Sequence, residues 1–303
     1  MRYLLLLSTA LFPASVQADV PKVVTDIAPI HSLVAQVMDG VGEPQVLISG
    51  AASPHDFQFS FDQASAVQDA DMVIWVGAPF TPWLADAIET LSVQDRSFEL
   101  LGSELWPSLE LRDWDDEHDN EEQDEHDLLD ETTVDPHAWL NPQVAMAWTR
   151  NIAFTLGMTD PDNEAVYLAN ADATIARLVQ LDADIEAMLA DVPRGAILVP
   201  HDAYQYFGER YGVTAIGAIS LSDATNPSPT HIDEMRTLVR DGGVVCVLSD
   251  PQSRGAWVDL VREGSNARTA FADTMGTSFA PGPDHYEQTL RSIAAAYVDC
   301  LGG

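Results

Sequence analysis

From Lys22 onward, short apolar β-branched runs alternate with longer stretches of helical periodicity. Lys22–Ile27, Gln45–Ser49 and Met72–Val76 predict buried strands, with helices around His31–Met38 and over Ser60–Gln68. The second half repeats the theme. Ala196–Pro200 and Val244–Leu248 predict strands, and Ala203–Tyr211 and His231–Arg240 predict helices. Strands separated by helical segments imply parallel sheets built from βαβ units, so the fold class is α/β. Between the halves runs the longest helical signal, Pro161–Asp191. Leu168, Ile175, Leu178, Ile185 and Leu189 recur at three-, four- and seven-residue spacings, and Pro161 suits a first turn capped by Asp160. A helix of that length reaches about 45 Å. The pattern divides the chain into an N-terminal α/β domain (19–159), a stiff linking helix (160–192) and a C-terminal α/β domain (193–303).

The first 18 residues stand outside this pattern. Arg2, the apolar run Tyr3–Phe12 and the small-residue site Val16-Gln17-Ala18 predict a secretory signal peptide, the run being too short to span a bilayer. No cysteine lies near the cleavage site to carry a lipid, and no later apolar segment reaches membrane-spanning length. A free periplasmic protein, not a lipoprotein, monomeric and without stable membrane insertion, is the expectation. Cys246 and Cys300 are the only cysteines. In an oxidising compartment they predict a disulfide, two free buried thiols being the alternative; they lack the paired spacing of a thiolate zinc site. The formal charge of −34, from 48 acidic and 14 basic residues, repels phosphate backbones and anionic lipid but favours cations, so nucleic acid is excluded as a partner.

Candidate chemistry rests with the eight histidines. His55 lies in Ala-Ser-Pro-His-Asp-Phe after a strand, and His137 in Asp-Pro-His-Ala-Trp. His201 directly follows Ala-Ile-Leu-Val-Pro, at the carboxyl end of a strand. Ligands of open α/β sheets bind outside those strand ends, and three imidazoles with a carboxylate suit tetrahedral zinc. No HExxH or paired CxxC marks any of them, and a lone loop histidine is more often a hydrogen-bonded residue than a ligand. Asp135 and Asp202 are close enough in sequence to orient an imidazole, or else to cap turns. His31 reads as structural, and His231 and His285 as solvated. Asp113–Asp127 packs ten acids with His118 and His126 into fifteen residues and predicts a disordered acidic loop, over 113–131 at its widest.

From Val23 to Cys300 the chain resembles the ZnuA-type zinc-binding proteins of bacterial ABC importers, within the cluster 9 metal-binding family. The resemblance is carried by Gly50-Ala-Ala-Ser-Pro-His-Asp-Phe, Ala70-Asp-Met-Val-Ile-Trp-Val-Gly and Asp135-Pro-His-Ala-Trp-Leu-Asn-Pro. His201-Asp-Ala-Tyr-Gln-Tyr-Phe, Asp250-Pro-Gln and Ala296-Tyr-Val-Asp-Cys-Leu continue it. It implies two small α/β domains joined by a rigid helix, with the metal in the interdomain cleft and a membrane permease as partner. Its histidine ligands fall on His55, His137 and His201. Some relatives add a carboxylate at the position of Asp273, the fourth ligand favoured here over water; others place a glutamate where this chain has Pro54. Asp250 stands where relatives often have glutamate. Relatives also carry a His- and acid-rich loop, which implies that His118 and His126 collect zinc weakly, although histidine is scarce here.

Three imidazoles favour Zn2+ over manganese, whose carriers keep more oxygen ligands. Proton competition predicts weaker binding between about pH 7 and 5. Rival readings are a manganese or other divalent-metal carrier, a zinc metallohydrolase with an open metal position, and an adhesin that uses metal structurally. No motif supplies the general base that hydrolysis requires.

Overall fold

The structure, a computed structural model, describes residues 20–103, 106–112, 114 and 134–302. The expected signal segment, His118 and His126 lie outside the described residues. In the N-terminal half the apolar runs become β1 (Val23–Thr25), β2 (Gln45–Val46), β3 (Met72–Trp75) and β4 (Ser97–Glu99), interleaved with α1 (Ala28–Val37), α2 (Phe61–Asp69) and α3 (Pro82–Thr90). Two long helices follow, α4 (Pro142–Thr159) and α5 (Glu164–Leu189). The C-terminal half contains β5 (Ala196–His201), α6 (Gln205–Tyr211), β6 (Gly217–Ser220), α7 (Pro229–Asp241), β7 (Val244–Ser249), α8 (Gly255–Arg262), β8 (Arg268–Phe271) and α9 (His285–Gly302).

Each half forms one four-stranded, wholly parallel sheet, ordered β2-β1-β3-β4 and β6-β5-β7-β8. The two orders share one topology. In each, the chain reverses its direction of winding between the two central strands, where such sheets open a crevice at their carboxyl ends. The local chemistry fits. Ser60 and Gln63 form a reciprocal capping box that starts α2. Asn141 caps α4 ahead of Pro142, and Ser228 caps α7 ahead of Pro229. Gly212, at φ +67°, ends α6 in the left-handed conformation that glycine adopts without strain.

The linking helix is shorter than expected. Pro161–Asn163 form a 3-10 turn, and the regular helix covers 26 residues, about 39 Å. It is also not a free rod. Its Asn170 and Arg177 bond the end of α1 through Val37 O and Gln36 Oε1, whereas Asp182 accepts from Arg210 and Tyr211, and Asp184 from Arg291, all in the C-terminal half. One continuous apolar core joins both halves, from Val23 and Trp148 to Phe207 and Tyr297. A smaller cluster around Leu198, Ile232 and Val258 lies under α7 and α8. Cys246 on β7 and Cys300 on α9 form a disulfide across 54 residues, worth about 4 kcal/mol on the chain-entropy account. Among the described residues no helix is long and apolar enough to cross a membrane.

Candidate metal centre

His201 is the last residue of β5, and Asp250 directly follows β7, its neighbour at the topological switch point. That adjacency sets Asp250 Oδ2 2.9 Å from His201 Nδ1. His137 begins a short turn that leads into α4, and Asp135 Oδ1 lies 2.8 Å from its Nδ1 and accepts its backbone N–H at 2.9 Å. Both rings therefore keep Nε2 for another partner. His55 comes from the loop between β2 and α2, where Trp83 Nε1 donates to the carbonyl of Pro54 at 2.7 Å.

His137 is the hub of the cluster. Its ring centroid lies 5.6 Å from that of His55 and 5.6 Å from that of His201, both edge-on. Two imidazoles sharing a tetrahedral zinc, with Zn–N near 2.0–2.1 Å, bring their centroids to roughly 5 Å. Nε2 of His55 and Nε2 of His137 are buried without a hydrogen-bond partner. A buried polar atom without a partner costs about 1–3 kcal/mol, a cost that a bound cation removes. Among the described residues no group of three or more His, Cys, Asp or Glu side chains is arranged so that it could hold a metal ion as it stands. His55 and His137 line a cavity of about 460 Å3, with Leu111, Arg112 and Leu221 among its other walls, ample for a hydrated ion. Phe80 and Trp139 wall the cluster, Phe80 lying 5.0 Å from His55.

The three rings differ electrostatically. Burial, then the charge of neighbouring imidazoles, pushes His55 and His137 down to about 3, so both stay neutral at physiological pH. Burial opposes the charge of His201 too, but Asp250, with Asp223 and Asp202, outweighs it and raises its pKa; Asp250, buried itself, is lowered by its imidazolium partner. Burial pushes Asp135 up to about 7 against its hydrogen bond from the His137 N–H and the charge of Arg112. The ionised carboxylate accepts from Nδ1–H and so leaves a lone pair on Nε2 of His137 for a metal. The Gln205 amide, with its nitrogen turned inward, donates to Asp135 Oδ2 at 3.0 Å and supports that state.

Asp273, expected as the fourth ligand, is buried in a turn of its own. Oδ1 accepts from the N–H groups of Met275 and Gly276, and Oδ2 from the N–H and hydroxyl of Thr277, at 2.6–3.0 Å. These fill the roughly four acceptor sites of a carboxylate. Gly276 sits at φ +63°, where an added Cβ would meet His285 Cε1 at 2.9 Å. Asp followed by glycine three residues on is a turn signature that was readable in the sequence. Asp202 pairs with Arg112 and accepts from Trp114 Nε1 instead of orienting an imidazole. Asp250 takes that role for His201, and its only sequence signal was its place after an apolar strand. His285 is buried, not solvated, and faces the carbonyl of Gly276 at 3.1 Å. His231 is half-buried and bonds Ala218 O. His31 is buried against Pro44 O, the structural role expected.

Two doubly wound lobes hold three imidazoles in successive ring contact. The chain belongs to the ZnuA family, described as the periplasmic component A of the zinc-uptake complex, whose model matches residues 23–300. It is 37% identical to the high-affinity zinc uptake system protein ZnuA of Paracoccus denitrificans, over 98% of this chain and 96% of that protein. Among solved structures, one of ZnuA superposes with a TM-score of 0.75 at 19% identity, over 93% of this chain and all of that one. A solute-binding protein of Pseudomonas aeruginosa, FpvC with Mn2+, reaches 0.78 at 18% identity, over 93% and 98%.

Proposed function

We propose that this chain captures Zn2+ through Nε2 of His55, His137 and His201 and carries it in the periplasm to the permease of an ABC importer. The observation that supports this is the run of ring contacts from His55 through His137 to His201, with Nε2 of His55 and of His137 buried and unpartnered. An all-nitrogen set favours zinc over manganese, the runner-up suggested by the Mn2+-bound relative. Water takes the fourth place, because Asp273 binds a metal only by surrendering part of its turn. Membership of a zinc-uptake family supports carriage over hydrolysis. Export by the N-terminal apolar segment and a monomeric state belong to the same reading. His118 and His126 serve as a weak collector. Arg112 and Val134, which flank their segment, line the cavity.

The test is metal analysis and titration of the mature chain beside His55→Ala, His137→Ala and His201→Ala. One tight zinc per chain, lost in each variant, is expected; a wild-type chain that ignores zinc overturns the assignment. A protein lacking 113–127 is expected to keep the tight site.

A further inference from the structure

His137 and His201 are each braced by a carboxylate on Nδ1, whereas neither ring nitrogen of His55 has a hydrogen-bond partner among the described residues. The ring contacts run from His55 to His137 and from His137 to His201; none joins His55 to His201. The cluster is thus open along one edge. Across that edge Ser53, two residues before His55, donates its hydroxyl to Asp223 Oδ1 at 2.8 Å. Asp223 lies just after β6, in the C-terminal half, so this bond links the His55 loop to the opposite lobe. The charge of Asp223 acts on both His55 and His201, the two rings that do not touch.

We propose that Asp223 is a positioning residue for ion capture: through Ser53 it holds the His55 loop across the cleft and so sets how fast a bound cation leaves. The inference rests on the zinc-carrier reading. A hydrogen bond to a carboxylate is among the stronger kinds, and it acts here on the one ligand with no brace of its own. The loop's other anchor, Trp83 to Pro54, comes from its own lobe and cannot close the cleft.

Stopped-flow release of zinc to a chromophoric chelator tests this on the full mature chain. Ser53→Ala and Asp223→Ala are each expected to speed release about tenfold, the scale of one charge-assisted hydrogen bond. The double variant should be no faster than either single one, because both remove the same contact. Ser53→Thr, which keeps the hydroxyl, should release zinc like the wild type. Cobalt(II) spectra should be the same in all variants, since the ligands are intact. Unchanged release in both variants overturns the proposal, as do additive effects. An altered cobalt spectrum in Asp223→Ala alone also overturns it, by making Asp223 a ligand. A wild-type chain that binds no zinc refutes the carrier reading instead, and unchanged thermal midpoints separate these outcomes from misfolding.

Discussion

The two lobes share one strand order and treat its switch point differently. In the C-terminal lobe the end of β5 presents His201, braced by Asp250 from the end of β7. At the corresponding place in the N-terminal lobe, after β1, stands Asp26, fully buried and pushed by burial up to about 7. Its oxygens accept the N–H groups of Ile27 and Val76 and so tie β1 to the end of β3. That lobe supplies its imidazoles from connections instead: His55 after β2 and His137 ahead of α4. One lobe therefore offers a ligand fixed to its sheet, and the other offers two on loops. A site that must hold an ion and later release it can yield along the loops while the sheets keep their packing. The rear of the cleft is closed to large motion. Trp139 Nε1 donates to Thr274 O, Tyr286 O–H to Trp139 O, and Ser32 O–H to Pro283 O, all across the lobes.

The largest expected effect comes from the hub. His137→Ala removes the ring that touches both others, and isothermal titration should show zinc affinity falling by more than about 100-fold, beyond the usual cost of losing a supporting carboxylate. Asp250→Asn should cost about 10–100-fold. An effect of Asp250→Asn equal to that of His137→Ala would erase the distinction between ligand and brace.

Protons sharpen the comparison next. The pKa of His201 is raised, so its imidazolium competes with zinc as pH falls through that value. Asp135 is raised to about 7, so below this pH it gains a proton and its hold on the Nδ1–H of His137 weakens. Both effects weaken binding on acidification. His55 and His137, at about 3, add no competing proton of their own above that range. As pH falls from about 7, zinc binding should release protons from both His201 and Asp135, read as the slope of log affinity against pH. Asp135→Asn should lower that slope; an unchanged slope would remove Asp135 from the account.

The smallest effect on binding belongs to the disulfide. Cys246→Ser with Cys300→Ser should lower the unfolding free energy by about 4 kcal/mol, seen in denaturant unfolding. The same protein should keep zinc affinity within about twofold of the wild type, since neither cysteine touches the rings. A larger loss of affinity would mean that the C-terminal sheet is less rigid than its packing implies.

Much of this architecture was legible beforehand. β1, β3 and β5 are buried on both faces, and β7 is buried apart from Val245 and its last residue, so they read as apolar runs. The long helix was visible because Leu178, Ile185 and Leu189 recur along one buried stripe, although Leu168, expected in that stripe, is exposed. α4 was missed: its buried Trp148, Ile152 and Leu156 are interleaved with exposed Phe154 and Met158, which blurs the period. β8 was missed for a different reason, being four residues that alternate half-buried and exposed.

The chain by itself determined what depends on neighbours along it: the alternation of strands and helices, the strand-end and loop settings of His55, His137 and His201, the Asp135 brace two residues from its histidine, and an acidity that favours cations. Tertiary structure alone decided which groups face one another. Asp250 meets His201 across 49 residues of sequence because β5 and β7 pair, and Ser53 meets Asp223 across 170 because the lobes face each other. The reason is physical. Helical and strand periodicity act over a few residues and are written into local composition, whereas ligand geometry is a distance between segments and exists only once the core has brought them together.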